Sequence, residues 1–214
     1  MFLNRPEAGK LLANALHHYF GKDVIVLALP RGGVPVAAEI AFALKAPLDL
    51  IFAHKIGHPL QEEYAIAAVS EGGAMVGHPE ELEQVDKKWL EEEKEKTYKK
   101  MMLQRKLYLQ ERKKPDLKDR VVILVDDGVA TGLTLLAAIF EVKQFAPAKL
   151  VIAVPVAPQN TADKIKEQVD ELIALQVDQD GLFLGSVGAY YQEFPQVQDQ
   201  EVIELLKQNK QINL

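Results

Sequence analysis

Continuous apolar runs alternate with segments of helical spacing along most of this chain. The runs at residues 24–29, 48–53, 64–69, 121–125, 150–154 and 171–175 predict strands, and Pro155 is expected to end the fifth of these. Apolar spacing predicts helices from Asn4 onward and at residues 36–44, 131–145, 161–169 and 202–209. Strands that are apolar throughout must be covered on both faces, so the alternation predicts an α/β fold with a parallel β-sheet flanked by helices.

Residues 80–114 have a different pattern, because 20 of these 35 residues are charged. Several acidic residues stand four positions before a lysine, as at Glu92 and Lys96, which favours a helix. The segment predicts one charged helical insertion of about 30 residues, roughly 45 Å long, which Pro115 ends. Two interpretations stay open, a solvated surface helix or a protruding arm that contributes to a homodimer.

The composition is typical of a globular protein, with 48% hydrophobic and 26% charged residues among 214. This length favours a single domain over residues 1–214. A net charge of −6 argues against a surface dedicated to nucleic acid. The absence of cysteine excludes disulfides, thiolate catalysis and iron–sulfur clusters. The apolar runs are too short to span a membrane and no signal peptide is recognisable, so a cytoplasmic location is expected.

The most informative segment follows the predicted strand at residues 121–125. Asp126 and Asp127 come at the carboxyl end of that strand, where open α/β sheets bind ligands. A turn and a predicted helix start follow, comprising Val129, Ala130, Thr131, Gly132, Leu133 and Thr134. Such a turn can bind an anion at the helix N-terminus, while carboxylates accept hydrogen bonds from sugar hydroxyls or hold a metal. The segment therefore predicts a site for a ribose 5-phosphate.

This segment resembles the phosphoribosyl pyrophosphate motif of the type I phosphoribosyltransferases, which is a strand, two acidic residues and then Thr-Gly-x-Thr. The resemblance covers the stretch from residue 121 to residue 134. It implies a Rossmann-like parallel sheet, a Mg²⁺ cofactor and, commonly, a homodimer. It also implies that Asp126 and Asp127 are the catalytic carboxylates at the ribose 2- and 3-hydroxyls, and that they hold the metal directly or through ligand or water. Residues 129–134 would bind the 5-phosphate.

A second glycine-containing turn follows the first predicted strand. Arg31, Gly32 and Gly33 precede a predicted helix, and two glycines after a basic residue suit a close approach of the backbone to an anion. The turn resembles the pyrophosphate loop of the same family, which implies pyrophosphate binding at these residues. Lys55, near the end of the next predicted strand, is expected to reach the pyrophosphate or the metal, with a solvated lysine as the alternative.

Residues 176–214 are predicted to form a small hood over a planar acceptor. Tyr190 and Tyr191 are expected to stack on the acceptor ring, with packing against the sheet as the alternative. Residues 57–63 fall where the family has its flexible catalytic loop, without a residue match. Ala130 stands where hypoxanthine-guanine enzymes of the family usually have an aspartate, which argues against the usual 6-oxopurine mechanism and leaves the acceptor unidentified.

The predicted function is therefore transfer of the 5-phosphoribosyl group from phosphoribosyl pyrophosphate to a nitrogenous acceptor, expected to be a nucleobase, with release of pyrophosphate. The alternative is a non-catalytic protein of the same fold that binds nucleotides or phosphoribosyl pyrophosphate, because the lid and the base site have no residue match. A signalling receiver domain is disfavoured, since its acidic pair would lie on the first strand, whereas 125 residues precede Asp126 here.

Overall fold

Two β-sheets organise the computed structural model, which describes residues 1–110, 112–179 and 181–212. The strands found in those ranges are β1 (Val24–Ala28), β2 (Leu48–Leu50), β3 (Ala53–His58), β4 (Gln61–Ser70), β5 (Met75–Gly77), β6 (Val121–Val125), β7 (Lys149–Pro158) and β8 (Glu171–Asp178). The central sheet has the order β2-β1-β6-β7-β8 and is parallel throughout, which confirms the predicted fold class. The second sheet, β3-β4-β5, is antiparallel.

Helices cover both faces of the central sheet. The α-helices in the described ranges are α1 (Arg5–Ala15), α2 (Gly33–Leu44), α3 (Pro79–Gln84), α4 (Lys87–Leu109), α5 (Leu133–Lys143), α6 (Gln159–Lys166) and α7 (Asp199–Ile212), of which α3 and α4 contact the second sheet. Val24 and Val26 of β1 join the core that contains α1, α2 and α7, whereas Ile25 and Leu27 join the core that contains α5 and α6. Successive side chains of a strand point to opposite faces, so this two-sided burial explains why β1 has no polar position.

The apolar run at residues 48–53 forms parts of two sheets instead of the one predicted strand. β2 ends at Leu50, and Phe52 accepts a backbone hydrogen bond from Glu71 at 3.0 Å before Ala53 begins β3. The run stays apolar through the crossing because Phe52 is fully buried. β3 and β4 form a hairpin in which the first four residues of β4 are exposed and the last six are buried. The predicted strand at 64–69 lies inside β4.

Where the charge pattern predicts one continuous helix over residues 80–114, the structure has the two helices α3 and α4. Asp86 interrupts the segment because it is extended and its carboxylate accepts a hydrogen bond from Trp89 N at 2.8 Å, which caps α4. The helix ends at Leu109, before Pro115, where Gln110 adopts a φ of 51°. Met101 is fully buried against the body, so α4 packs on the core along part of its length.

β7 continues through Pro155, where the sequence predicts that it ends. Its pairing with β6 stops at Ala153, and its register with β8 passes from Val154 to Val156. Pro155 thus falls between paired residues and has no partner in either register, which is a position where a strand tolerates the missing N–H of proline. None of the described helices is long and apolar enough to cross a membrane.

Candidate active site at the carboxyl ends of the central strands

A cleft of about 370 Å³ lies at the carboxyl end of β6. One wall is the segment from Gly128 to Leu135, together with Asp126. The opposite wall belongs to the β3–β4 hairpin, and the tail contributes Gly185. The residues contributed by the hairpin are Lys55, Glu63, Tyr64 and Ala65. The position agrees with the general rule that ligands bind outside the carboxyl ends of parallel strands.

The loop after β6 delivers an accessible helix N-terminus to the cleft. Val129 N donates to Val156 O at 2.8 Å, and Thr161 Oγ1 donates to Ala130 O at 2.8 Å, so neighbouring elements fix the loop. Gly132 has a φ of 81°, and a Cβ there would lie 2.7 Å from Thr161 Cγ2. Among the described residues no side chain caps α5, which leaves its first-turn N–H groups available to an anion. The structure thus places the predicted 129–134 segment in the cleft.

The two predicted carboxylates have different surroundings. Asp126 lines the cleft, and its Oδ1 accepts a hydrogen bond from Asp127 N at 2.8 Å. The Asp127 side chain is not among the cleft-lining groups: it is 14% exposed, and its Oδ2 lies 2.7 Å from Arg5 Nε. The acidic pair therefore presents one carboxylate to the cleft and directs the other to an arginine.

Burial controls the ionisation of this pair. It raises the pKa of Asp126 well above its ordinary value, and the neighbouring charge of Asp127 raises it further. Burial also raises the pKa of Asp127, but there the Arg5 guanidinium opposes the effect. A metal ion or a hydrogen-bond donor in the cleft would favour the ionised form of Asp126.

The turn after β1 packs directly against the acidic pair. A Cβ at Gly32 would lie 2.1 Å from Asp127 Oδ2, and one at Gly33 would lie 2.7 Å from Val125 O, so both positions require glycine. The Pro30–Arg31 peptide bond is cis. The Arg31 side chain is 30% exposed and lies 3.3 Å from the Asp199 carboxylate at the start of α7. The structure thus brings this predicted turn beside the acidic pair, with Arg31 directed toward α7.

Lys55 reaches the cleft from the hairpin. Its Nζ lies 3.2 Å from Glu63 Oε2, and both side chains line the cleft. The lysine is half-exposed, so it remains accessible to a ligand. A cationic group therefore stands across the cleft from the N-terminus of α5, where it can contribute to binding a second anionic group.

The predicted stacking residues Tyr190 and Tyr191 lie in the packed tail and not among the cleft-lining residues. They are 2% and 6% exposed. The Tyr190 hydroxyl donates to Asp178 and accepts from Leu184 N, and the Tyr191 hydroxyl donates to Asp127 O at 2.6 Å. This arrangement favours the packing alternative, and stacking on an acceptor stays a prediction that requires the tail to open.

Sequence reasoning missed three residues that the structure places at or beside the cleft. Arg5 carried no motif, because a single arginine at the start of a helix is usually solvated. Glu63 and Tyr64 lie on the hairpin, where no family residue match was found. The apolar run at residues 64–69 predicts a strand, but it does not show that this strand faces the acidic pair across a cleft.

The donor set suits a metal that is shared with a ligand. Among the described residues no cluster of three or more histidines, cysteines, aspartates or glutamates could hold an ion by itself. Asp126 supplies one hard oxygen donor group in the cleft. Mg²⁺ is commonly bound by one or two carboxylates together with substrate phosphates, so Asp126 fits that mode of binding.

A parallel sheet that presents an uncapped helix N-terminus beside a carboxylate is an architecture in which α/β proteins commonly bind phosphorylated ligands at their strand ends. The sequence model of the phosphoribosyl transferase domain family matches residues 4–192 of this chain. The chain therefore belongs to that family, and its fold is the type I phosphoribosyltransferase fold.

Individual relatives support this membership. A curated Mycobacterium tuberculosis (strain H37Rv) protein, provisionally named a phosphoribosyl transferase (Rv0571c), is 35% identical over 208 residues, which cover 96% of this chain and 46% of the relative. The chain thus spans about half the length of this curated relative. The crystal structure of TT1426 from Thermus thermophilus is 39% identical with a TM-score of 0.79, covering 97% of this chain and 98% of that one.

The same fold occurs in a more distant structure. A Neisseria gonorrhoeae hypothetical protein with bound ppGpp is 14% identical with a TM-score of 0.52, covering 97% of this chain and 96% of that one. At this identity the likeness concerns the fold alone.

Proposed function

We propose that this chain transfers the 5-phosphoribosyl group of phosphoribosyl pyrophosphate to a nitrogen nucleophile, with release of pyrophosphate. The observation that carries the proposal is that one cleft collects the carboxylate of Asp126, the uncapped N-terminus of α5 and the ammonium group of Lys55. These three groups match the ribose hydroxyls, the 5-phosphate and the pyrophosphate of a single substrate.

Each group has a defined part in the proposed reaction. The N–H groups at the start of α5 bind the 5-phosphate and thereby orient C1 of the ribose. Asp126 accepts hydrogen bonds from the ribose hydroxyls, and its negative charge favours a sugar that becomes cationic in the transition state. The acceptor nitrogen forms a bond to C1 while the bond from C1 to the pyrophosphate oxygen breaks. Lys55 and the turn at Gly32 and Gly33 stabilise the departing charge.

Mg²⁺ is the cofactor that this function implies. Asp126 is the residue of the cleft that would hold it, together with oxygens of the substrate. When bound, the ion would neutralise charge on the leaving pyrophosphate. The expected homodimer and the cytoplasmic location also stay proposals.

The acceptor is proposed to be planar and to meet the hairpin wall of the cleft. Tyr64 lines the cleft, is 43% exposed and donates its hydroxyl to Glu81 Oε1 at 2.7 Å, which holds the ring in place. A ring held in this way offers a face for stacking. Because Ala130 supplies no carboxylate for proton transfer, recognition would depend on stacking and backbone hydrogen bonds.

The test is release of pyrophosphate from phosphoribosyl pyrophosphate and Mg²⁺ in the presence of a panel of nucleobases and related amines. We expect release with at least one acceptor, a loss of tenfold or more in Asp126→Asn, and normal release in Asp23→Asn. Asp23 is a matched control because it is an aspartate at the opposite, N-terminal edge of the sheet. Binding of phosphoribosyl pyrophosphate without release in any mixture would favour the non-catalytic alternative, and absence of both would overturn the proposal.

A further inference from the structure

Arg5 is a buried arginine whose guanidinium is enclosed by three groups. It is 7% exposed, its Nε lies 2.7 Å from Asp127 Oδ2, and its Nη1 donates to Pro195 O at 2.6 Å. The guanidinium carbon lies 3.7 Å from the centroid of the Phe194 ring. A buried cation is tolerated only with such partners, so the position of Arg5 is strongly determined.

The N-terminal segment and residues 190–195 meet beside this arginine. Phe2 N donates to Tyr190 O at 2.7 Å, and Gln192 N donates to Phe2 O at 2.8 Å, so the N-terminal segment pairs with the tail. The Tyr191 hydroxyl then donates to the backbone oxygen of Asp127 at 2.6 Å. The side chain and the backbone of Asp127 are therefore both held by elements far from it in sequence.

Asp127 is also confined from its other side. A Cβ at Gly32 would lie 2.1 Å from Asp127 Oδ2, so the carboxylate fills the space that the missing side chain leaves. The Asp127 N–H meanwhile donates to Asp126 Oδ1 at 2.8 Å. A displacement of Asp127 would consequently move both the turn after β1 and the carboxylate that lines the cleft.

We propose that the acidic pair is divided in this protein: Asp126 is the carboxylate that meets the ligand, and Asp127 is an anchor that Arg5 holds in place. Arg5 is thus a positioning residue, which acts on the ligand through Asp127, the Gly32 turn and Asp126. The ligand part of this inference rests on the proposed function, whereas the Arg5–Asp127 pair can be tested without it.

The first measurement is thermal unfolding of Arg5→Met, Asp127→Asn and the double variant. Each single variant leaves a buried group without its partner, so we expect a fall in Tm of roughly 5 °C or more. The double variant should fall no further than the larger single variant, because the interaction is already lost. Additive losses would overturn the pairing.

The second measurement is the Kd for phosphoribosyl pyrophosphate with Mg²⁺. Asp126→Asn should raise it tenfold or more. We expect a smaller increase in this Kd, of the same size, in Arg5→Met, in Asp127→Asn and in their double variant. Arg5→Lys should recover part of the lost affinity. The structural control is Arg120→Met, because Arg120 pairs with Asp23 at 2.7 Å at the opposite edge of the sheet. It should leave the Kd unchanged even where its Tm falls.

Three outcomes decide the assignment. Equal losses in Asp126→Asn and Asp127→Asn would contradict the division of the pair. A greater loss in the double variant than in either single variant would mean that Arg5 contacts the ligand itself, which also contradicts it. If the wild-type protein does not bind phosphoribosyl pyrophosphate, the proposed function fails, and the thermal measurement alone confirms or overturns the Arg5–Asp127 pair.

Discussion

The proposed role of Asp126 in binding the ligand opposes its contribution to stability. Burial and the charge of Asp127 raise its pKa, so ionisation costs more in the folded than in the unfolded protein. The contribution of such a carboxyl group to the free energy of unfolding is therefore fully present below its unfolded pKa of about 4. That contribution is lost as the pH rises through the pKa in the folded protein.

We therefore predict that Asp126→Asn is more stable than the wild type at pH 8 and that the difference disappears near pH 4. Thermal unfolding at both pH values measures this. Asp178 provides a comparison of opposite sign, because its hydrogen bonds from Tyr190 and Gln176 lower its pKa. Asp178→Asn should lose stability at pH 8. A lower Tm for Asp126→Asn at pH 8 would contradict the assignment of a costly buried carboxylate.

The tail tyrosines and the hairpin tyrosine should behave differently. Tyr64→Ala removes an exposed ring from the cleft. The Michaelis constant for the acceptor should therefore rise by the factor that corresponds to a loss of roughly 1–3 kcal/mol of stacking free energy, and the Michaelis constant for phosphoribosyl pyrophosphate should change little. Tyr191→Ala removes a buried ring and the hydroxyl bonded to Asp127, so the Tm should fall and both constants should shift together. A selective effect of Tyr191→Ala on the acceptor would instead support stacking by the tail.

At the scale of elements, the segment proposed to bind phosphate depends on Gly132, because both its left-handed backbone conformation and its close packing require glycine. Gly132→Ala adds a Cβ 2.7 Å from Thr161 Cγ2 at a φ of 81°. Gly21 is the matched control, because its φ is 76° and nothing lies within 4 Å of an added Cβ. We expect both alanine variants to lose stability through backbone strain, roughly 1 kcal/mol.

Only Gly132→Ala should also weaken binding of inorganic phosphate or sulfate, because it displaces the loop that precedes α5. Titration with either anion, followed by chemical shifts of the α5 amides, measures this effect. Equal anion affinity in Gly132→Ala and Gly21→Ala would mean that the anion binds elsewhere.

The elements differ in how far sequence alone determines them. β1 and β6 are buried on both faces, so their unbroken apolar runs predict them and their place in the sheet. The sequence does not predict the antiparallel sheet, because the run at residues 48–53 is apolar throughout. Nothing in that run indicates that the chain passes from one sheet to the other within it. The break at Asp86 depends on one capping hydrogen bond, to which a charge pattern is insensitive. The role of Arg5 depends on contacts with Asp127 and Pro195, more than 120 residues away.

For the whole molecule, α4 offers a surface that its own chain leaves uncovered. Leu103 and Leu107 are 71% and 49% exposed and lie one helical turn apart. Met101 on the same helix is fully buried, so removal of the helix would expose the core and would not test association cleanly. Point substitutions on the exposed face are the better test of the predicted homodimer.

We predict that the wild type is a dimer in solution and that Leu103→Glu with Leu107→Glu converts it to a monomer without loss of the fold. Light scattering gives the mass, and circular dichroism checks the fold. Leu60→Glu is the control, because Leu60 is 91% exposed at the tip of the hairpin and distant in sequence from α4. A wild-type monomer, or a double variant that remains dimeric, would contradict this use of α4.

The central claim is that one cleft, formed by Asp126, the N-terminus of α5 and Lys55, binds phosphoribosyl pyrophosphate. Calorimetric titration of the wild type and of Asp126→Asn, with Mg²⁺ present, tests it most directly. We predict saturable binding at one site per chain, weakened in Asp126→Asn by roughly 1.5–3 kcal/mol through the loss of charge-assisted hydrogen bonds. Absence of saturable binding by the wild type, or equal affinity in Asp126→Asn, would contradict the claim.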